Sequence, residues 1–195
     1  GDGGKVLLFG EEGLVAGDVS NSSAPVVAAG VVVTGSTVID FVRATTPRGT
    51  VQAFASFSGR PLWQFDPLLG HAGSGSANVW APISVDEKNG LVFLPTSSAS
   101  PDYYGVGRPG DNPYANSVVA LALHSGEYRW HFQHVRHDLW DYDTPAQPVL
   151  FDWRSVEDNV ALPLELLGRD RAWRATRARE MLELVELGDV SGHRP

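Results

Sequence analysis

Three carboxylates lie within six residues in the second half of the chain. They are Asp138, Asp141 and Asp143, in the sequence His-Asp-Leu-Trp-Asp-Tyr-Asp. Paired carboxylates can act as general acid and general base, so a hydrolase or a glycan-binding β protein is one hypothesis for this chain. Aspartates in a loop also cap turns, and that structural role is the alternative for each of the three.

Two histidines precede these acids at a spacing that can bind a transition metal. His134, His137 and Asp138 form the pattern His-x-x-His-Asp, and imidazole and carboxylate groups are both ligands for zinc. The chain contains no cysteine, which excludes disulfides and thiolate metal sites.

The composition excludes some classes of partner. The net charge is −8, with 23 acidic and 15 basic residues, whereas a nucleic-acid surface is basic, so we expect no nucleic-acid partner. No apolar run approaches the roughly 20 residues that cross a bilayer, and we expect no signal peptide within these residues.

Short apolar and β-branched runs, bounded by Gly, Pro, Asp and Ser, predict strands over most of the chain. Residues 53–63 and 120–130 both read Ala-x-Ala-x-x-Ser-Gly-x-x-x-Trp. This pattern predicts a strand, a tight turn with Gly at positive φ, and a second strand ending in Trp. A Trp at a fixed place in each repeat can wedge against the neighbouring sheet, as in a propeller.

The end of the chain has a different texture. Residues 154–195 are rich in leucine and arginine and predict helix, with a break at Gly168 and a stop at Gly188. We interpret this tail as an amphipathic helical appendage, and the alternative is a basic helix that docks on a partner or a membrane surface.

The two repeats resemble the tryptophan-docking motif of dehydrogenases that depend on pyrroloquinoline quinone (PQQ). Ala and Ser stand at the places where that motif usually has Asp and Thr. Four more specific motifs follow, in the order and spacing found in the membrane-bound glucose dehydrogenase branch of this family. They are Gly-Ser-Ala-Asn-Val-Trp-Ala-Pro at 75–82, Pro-Asp-Tyr-Tyr-Gly at 101–105, Arg-Pro-Gly-Asp-Asn at 108–112, and His-Asp-Leu-Trp-Asp-Tyr-Asp at 137–143.

This resemblance runs from about Gly10 to Asp152, and it implies an all-β fold with a helical tail. We expect a partial β-propeller, about three blades of the family's eight, over residues 1–153, and the tail over residues 154–195. The resemblance further implies a quinoprotein dehydrogenase that oxidises a sugar or alcohol by hydride transfer to PQQ, with Ca²⁺ or Mg²⁺. It also implies ubiquinone or the respiratory chain as electron acceptor and a periplasmic or membrane-associated location facing the periplasm.

Site residues carry over by position. Asp141 matches the family's catalytic base and also a metal ligand, and Trp80 matches the tryptophan that forms the floor under the quinone. Thr37 matches a hydroxyl that contacts PQQ. Asp40 and Ser98 match metal-ligand positions.

Departures from the family pattern weaken two of these assignments. Phe41 follows Asp40 where the glucose dehydrogenase branch usually has Asn, and Ser98 stands where many members have Asn. A hard cation prefers oxygen ligands, so each change removes an amide oxygen. The aromatic residues Tyr103–Tyr104 and Trp140 with Tyr142 can line a sugar pocket, and the alternative for each of them is packing in the core.

The chain is shorter than a complete propeller of this family. After Asp152 the family continues with a lysine that contacts the quinone, and no lysine follows Lys88 here. The expected protein is therefore a fragment of a quinoprotein dehydrogenase. The alternative is a non-catalytic propeller-type binding or scaffold module, or an inactive remnant.

Overall fold

The computed structural model describes residues 4–10, 13–19, 24–38, 46–69, 74–149, 151, 153–184 and 187–194. The chain divides into two compact units, Gly1–Pro148 and Val149–Pro195. The first, called the sheet unit, consists of antiparallel strands, and the second, called the helical unit, contains two α-helices. The expectation of a β protein with a helical tail is confirmed.

Twelve strands are present among the described residues of the sheet unit. They are β1 (Gly4–Gly10), β2 (Gly13–Val19), β3 (Val26–Ala28), β4 (Val31–Thr34), β5 (Val51–Ala55), β6 (Pro61–Phe65), β7 (Gly75–Ser76), β8 (Ser84–Asp86), β9 (Leu91–Pro95), β10 (Ala99–Ser100), β11 (Ser117–Ala122) and β12 (Tyr128–Gln133). Strands β3-β4-β5-β6 form one four-stranded sheet, the first blade, and β8-β9-β11-β12 form the second blade. The remaining strands make the pairs β1-β2 and β7-β10.

The main hydrophobic core combines side chains of both blades in one cluster. Its buried members include Val31, Val33, Val51, Ala53 and Phe65 of the first blade and Val92, Leu94, Val119 and Leu121 of the second. All four residues of β4 are buried. Because successive side chains of a strand point to opposite faces, β4 is covered on both faces, as the strand of a stacked blade must be.

The two sequence repeats have the same turn geometry. The Gly59 amide donates to the Ala55 carbonyl at 2.8 Å, and the Gly126 amide donates to the Ala122 carbonyl at 2.8 Å. Both glycines have positive φ, +66° and +69°, a region that residues with a Cβ enter only at a cost. The predicted turn with Gly at positive φ is therefore confirmed in both copies.

The tryptophan of the first repeat joins the two blades. The indole N–H of Trp63 donates to the Leu123 carbonyl at 2.8 Å. The ring also lies over Gly126, where an added Cβ would be 2.7 Å from the Trp63 ring atoms. Trp63 lies inside β6 rather than at its end. Its counterpart Trp130 is 44% exposed and packs beside Phe93, with 5.8 Å between the ring centroids.

This contact predicts that glycine substitutions in the second blade differ in cost. Gly90→Ala meets only the penalty of positive φ, because nothing lies within 4 Å of its Cβ position, and we expect a loss of about 1 kcal/mol. Gly126→Ala adds a clash with the Trp63 ring, which we expect to cost a further 1–3 kcal/mol or so. Urea unfolding measures both, and equal losses would contradict the blade contact.

The helical unit contains α1 (Val156–Leu166) and α2 (Arg171–Leu184). Ser155 caps α1, its hydroxyl accepting the Asp158 amide at 3.0 Å. Gly168, at φ +68°, follows the end of α1, so the predicted break is confirmed. In the part of the chain that the structure describes, neither helix has the length and apolarity to span a membrane.

One glutamate joins three segments of the helical unit. Glu165 pairs with Arg154 at 3.1 Å and with Arg174 at 3.2 Å. The hydrogen bond from Arg154 is the largest influence on Glu165, and with the charges of both arginines it lowers the pKa of the carboxyl.

A carboxyl with a lowered pKa stabilises the folded state above its unfolded pKa, and that contribution disappears as the pH falls. We therefore expect the helical unit to lose thermal stability below the ordinary glutamate pKa of 4.5. Glu165→Gln should reduce this dependence, as followed by helical circular dichroism from pH 7 to pH 3. An unchanged acid profile in the variant would show that Glu165 does not contribute.

Candidate functional site

A layer of buried polar side chains connects the segments that follow β4 in the first blade and β9 in the second blade. Asn78 donates through Nδ2 to the Ser36 carbonyl at 2.8 Å, and its Oδ1 accepts the Ser97 hydroxyl at 3.0 Å. Asn78 is 1% exposed, so these partners satisfy groups that water cannot reach. The bond to Ser36 brings the exposed Thr37 to the segment that contains Trp80.

Trp80 is oriented by a carboxylate. Its indole N–H donates to Asp143 Oδ2 at 2.9 Å, and the other oxygen of Asp143 accepts the Ser98 amide at 2.9 Å. Trp80 is 39% exposed. The N–H edge is therefore anchored while part of the ring remains open to a flat ligand.

Asp138 is the buried anion of the site, at 1% exposure. Its carboxylate accepts the Ser98 hydroxyl, the Asn116 amide at 2.9 Å, and the backbone amides of Trp140 at 3.0 Å and Tyr142 at 2.6 Å. Burial alone would raise the pKa of Asp138, but these hydrogen bonds outweigh it and lower the pKa below its usual value. Asp138 is therefore ionised at neutral pH.

Asp141 lies in the turn that Asp138 holds. Its φ is +61°, the left-handed region that few residues other than glycine adopt. Asp141 is half-buried, and its two neighbours in the chain, Trp140 and Tyr142, are exposed, with 6.3 Å between their ring centroids. A half-buried aspartate that adjoins two exposed aromatic residues in the chain can receive a proton from a bound hydroxyl compound.

Arg108 stabilises the same turn through a hydrogen bond to its first residue, Asp138. The side chain is 1% exposed, and its N–H groups donate to four oxygens. These are the carbonyls of Pro101 at 2.9 Å, Asp102 at 3.0 Å and Asp138, and Asn112 Oδ1 at 3.0 Å. Desolvation lowers the pKa of Arg108, while the charges of Asp102 and Asp138 oppose that shift.

The structure brings together four of the five residues that the sequence assigned to the site. Hydrogen bonds link Trp80 to Ser98 through Asp143, and Ser98 to the turn that carries Asp141 through Asp138. Thr37 adjoins the polar layer through Ser36. The fifth residue, Asp40, and its neighbour Phe41 lie outside the described residues.

Two hypotheses from the sequence lose support. Within the described ranges, no group of three His, Cys, Asp or Glu side chains could hold a metal ion, so the zinc hypothesis for His134, His137 and Asp138 is wrong. His137 Nδ1 instead bonds with the Gly110 carbonyl at 2.7 Å. The hydrolase hypothesis needs two available carboxylates, whereas the oxygens of Asp138 and Asp143 are already hydrogen-bonded.

Several residues of the site were not predicted from sequence. Asn78, Asn116 and Arg108 had no assigned role, and Asp143 was assigned only to the carboxylates of the hydrolase hypothesis, although each lies in one of the motifs or next to a predicted strand. An asparagine directly before an apolar run, as at Asn116, was the available signal, because amides satisfy buried strand ends.

Comparison with known proteins identifies the family of the chain. A family model described as glucose/ethanol/alcohol dehydrogenase, beta-propeller domain, with PQQ, matches residues 1–162. The glycerol dehydrogenase large subunit of Gluconobacter oxydans is 37% identical over 164 residues, covering 78% of this chain and 22% of the relative. Quinoprotein glucose dehydrogenase of Escherichia coli is 35% identical over 142 residues, covering 67% and 18%.

A solved structure shows the same fold. Quinohemoprotein alcohol dehydrogenase from Comamonas testosteroni superposes with a TM-score of 0.59 at 22% identity, over 78% of this chain and 29% of that one. The fold is thus that of part of a quinoprotein β-propeller. The chain belongs to the PQQ-dependent glucose/ethanol/alcohol dehydrogenase family.

The family match extends further along the chain than the sequence motifs indicated. It covers only part of the length of the relatives. It extends to residue 162, inside α1, whereas the resemblance was expected to end at Asp152. The chain spans about a fifth of the length of the curated relatives, 22% and 18% for the two named above.

The bridge from Trp80 to Ser98 leads to a stability prediction. Asp143→Ala leaves the Ser98 amide and the Trp80 indole N–H without their carboxylate, and we expect a loss of about 1–2 kcal/mol in urea unfolding. Asp111→Ala is the control, because Asp111 is exposed and bonds through its backbone carbonyl. Equal stability of the two variants would show that the bridge is not formed in solution.

Proposed function

We propose that this chain supplies part of the active site of a quinoprotein dehydrogenase that oxidises a sugar or alcohol. One observation carries the proposal: the partly exposed Trp80 ring and the Asp141 turn are tied to each other through Ser98. This arrangement places a flat apolar face and a carboxylate on one hydrogen-bonded framework. A hydride-transfer site that binds a planar quinone needs both.

The residues of the chain take distinct roles. The Trp80 ring stacks against the planar cofactor and excludes water from one face. Asp141 accepts the proton of the substrate hydroxyl, and Trp140 and Tyr142 offer aromatic surface to the substrate beside it. When bound, PQQ accepts the hydride and a divalent cation polarises its carbonyl.

The described residues supply more of the contacts proposed for the quinone than of the ligands proposed for the cation. Ser36 Oγ and Thr144 Oγ1 are buried without a hydrogen-bond partner among the described residues, so both can bind polar groups of a ligand. Thr37, next to Ser36, is the predicted PQQ contact.

For a cation, Ca²⁺ or Mg²⁺, we propose the carboxylates of Asp141 and Asp40 as ligands, with Ser98 as a third. The Ser98 hydroxyl donates to Asp138 and accepts from Asn116. A hydroxyl has two lone pairs, so one remains for a metal. The two carboxylates would therefore carry most of the binding energy.

The relatives support a proposal for the location of the protein and for its electron acceptor. We propose a location in the periplasm or on a membrane facing it, and electron transfer to ubiquinone or the respiratory chain. The names of the relatives include glycerol and glucose dehydrogenases, which supports a polyol, alcohol or sugar as substrate.

Equilibrium dialysis of the purified chain against PQQ, with and without Ca²⁺, tests the proposal. We expect saturable binding of PQQ that becomes stronger with Ca²⁺. Trp80→Ala should weaken it roughly tenfold, since an aromatic contact contributes about 1–1.5 kcal/mol.

Trp80→Phe is the matched variant. It keeps an aromatic face but loses the N–H that donates to Asp143, so it should bind PQQ within about threefold of the wild type. Absence of saturable binding in the wild type would support the propeller-type scaffold or remnant instead. Equal binding by Trp80→Ala and the wild type would remove Trp80 from the site.

A further inference from the structure

The turn that carries Asp141 is closed by a residue outside the reacting groups. The carboxylate of Asp138 accepts the backbone amides of Trp140 and Tyr142, which lie directly before and after Asp141. Two hydrogen bonds from one carboxylate therefore clamp the chain on both sides of Asp141. Asp138 is 1% exposed and its carboxylate already accepts four hydrogen bonds, so its role is to hold the turn rather than to react with a substrate.

The clamp holds a conformation that the chain would otherwise disfavour. Asp141 has φ +61°, and left-handed backbone is unfavourable for a residue with a Cβ. Such a conformation persists only where surrounding contacts determine it, and it concentrates at functional sites. Here those contacts come from Asp138, so the direction of the Asp141 carboxylate depends on them.

Asp138 is in turn held from three sides. Asn116 donates to its carboxylate at 2.9 Å and to the Tyr142 carbonyl at 2.8 Å, so it grips both ends of the turn. The Ser98 hydroxyl donates to the same carboxylate, and Arg108 donates to the Asp138 carbonyl. The side chains of Ser98, Asn116 and Arg108 are all buried, which gives the anion little freedom to move.

We propose that Asp138 is the positioning residue for Asp141, acting by fixing the 138–142 turn rather than through its charge. This inference rests on the proposed function, in which Asp141 is the proton acceptor and a cation ligand. Orientation matters because a displacement of about 1 Å in a reacting group can cost on the order of a hundredfold in rate.

Two variants separate position from charge. Asp138→Asn keeps the size but presents an amide N–H₂ toward donors, so one of the two backbone amides loses its acceptor. Asn116→Ala keeps the Asp138 anion and removes the side chain that grips the turn. Asp111→Asn, on an exposed residue of a nearby loop, changes the net charge by the same amount as Asp138→Asn.

Amide hydrogen exchange by NMR reads the turn directly, without any cofactor. We expect the Trp140 and Tyr142 amides to exchange about tenfold faster in Asp138→Asn and Asn116→Ala. The amides of β11 and those of the Asp111→Asn control should keep their protection. Unchanged exchange at both turn amides in both variants would overturn the proposal.

The PQQ dialysis experiment supplies a readout that a merely structural role would not move. Affinity without Ca²⁺ depends on Trp80, and it should stay within about threefold in both variants. The gain in affinity caused by Ca²⁺ depends on Asp141 and should fall roughly tenfold in both. A fall in Asp138→Asn but not in Asn116→Ala would mean that Asp138 acts through its charge, which also overturns the proposal.

The experiments test the proposed PQQ site and the positioning role of Asp138 separately. If the wild type binds no PQQ, the proposed function fails, and the hydrogen-exchange result alone decides whether Asp138 sets the turn. If Asp138→Asn does not fold, Asn116→Ala, which keeps the buried anion, decides both readouts.

Discussion

Burial of a charged carboxylate is costly unless every oxygen finds a donor, and the candidate site is organised around that requirement. Asp138 satisfies it with donors from three separate segments: Ser98, Asn116 and the amides of its own turn. Because an unpaired buried charge would destabilise the fold by several kcal/mol, these segments must meet in one arrangement. The geometry of the turn is thus a consequence of satisfying one anion.

The two blades provide the rigid frame for these segments. Trp63 ties the first blade to the second through the Leu123 carbonyl and the Gly126 turn, and one hydrophobic cluster includes both sheets. The polar layer lies just beyond the ends of β4 and β9, at Ser36 and Ser97. Side chains that project from the ends of well-packed strands keep their positions better than those on free loops, which suits a binding site.

The fold and part of the site could be predicted because their signals are local. Gly59 and Gly126 mark turns by their need for positive φ, and Trp80 and Asp141 lie within motif words that resemble the family. The contacts of Asn116 and Arg108 could not be predicted in this way. Asn116 and Asp138 are 22 residues apart, and Asn78 and Ser36 are 42 apart. Such pairs depend on how distant segments pack together, within a blade or between blades, which residue type and spacing do not record.

Ser98 connects the two parts of the candidate site, Trp80 and the turn that contains Asp141, through hydrogen bonds. Its backbone amide donates to Asp143, which orients Trp80, and its hydroxyl donates to Asp138, which shapes the Asp141 turn. The amide contact does not depend on the side chain, so we expect the orientation of Trp80 to survive substitution at this position. The hydroxyl contact does depend on it. A serine here therefore couples Trp80 to the turn that contains Asp141, and an asparagine at the same place would keep the backbone amide contact and present a side-chain oxygen.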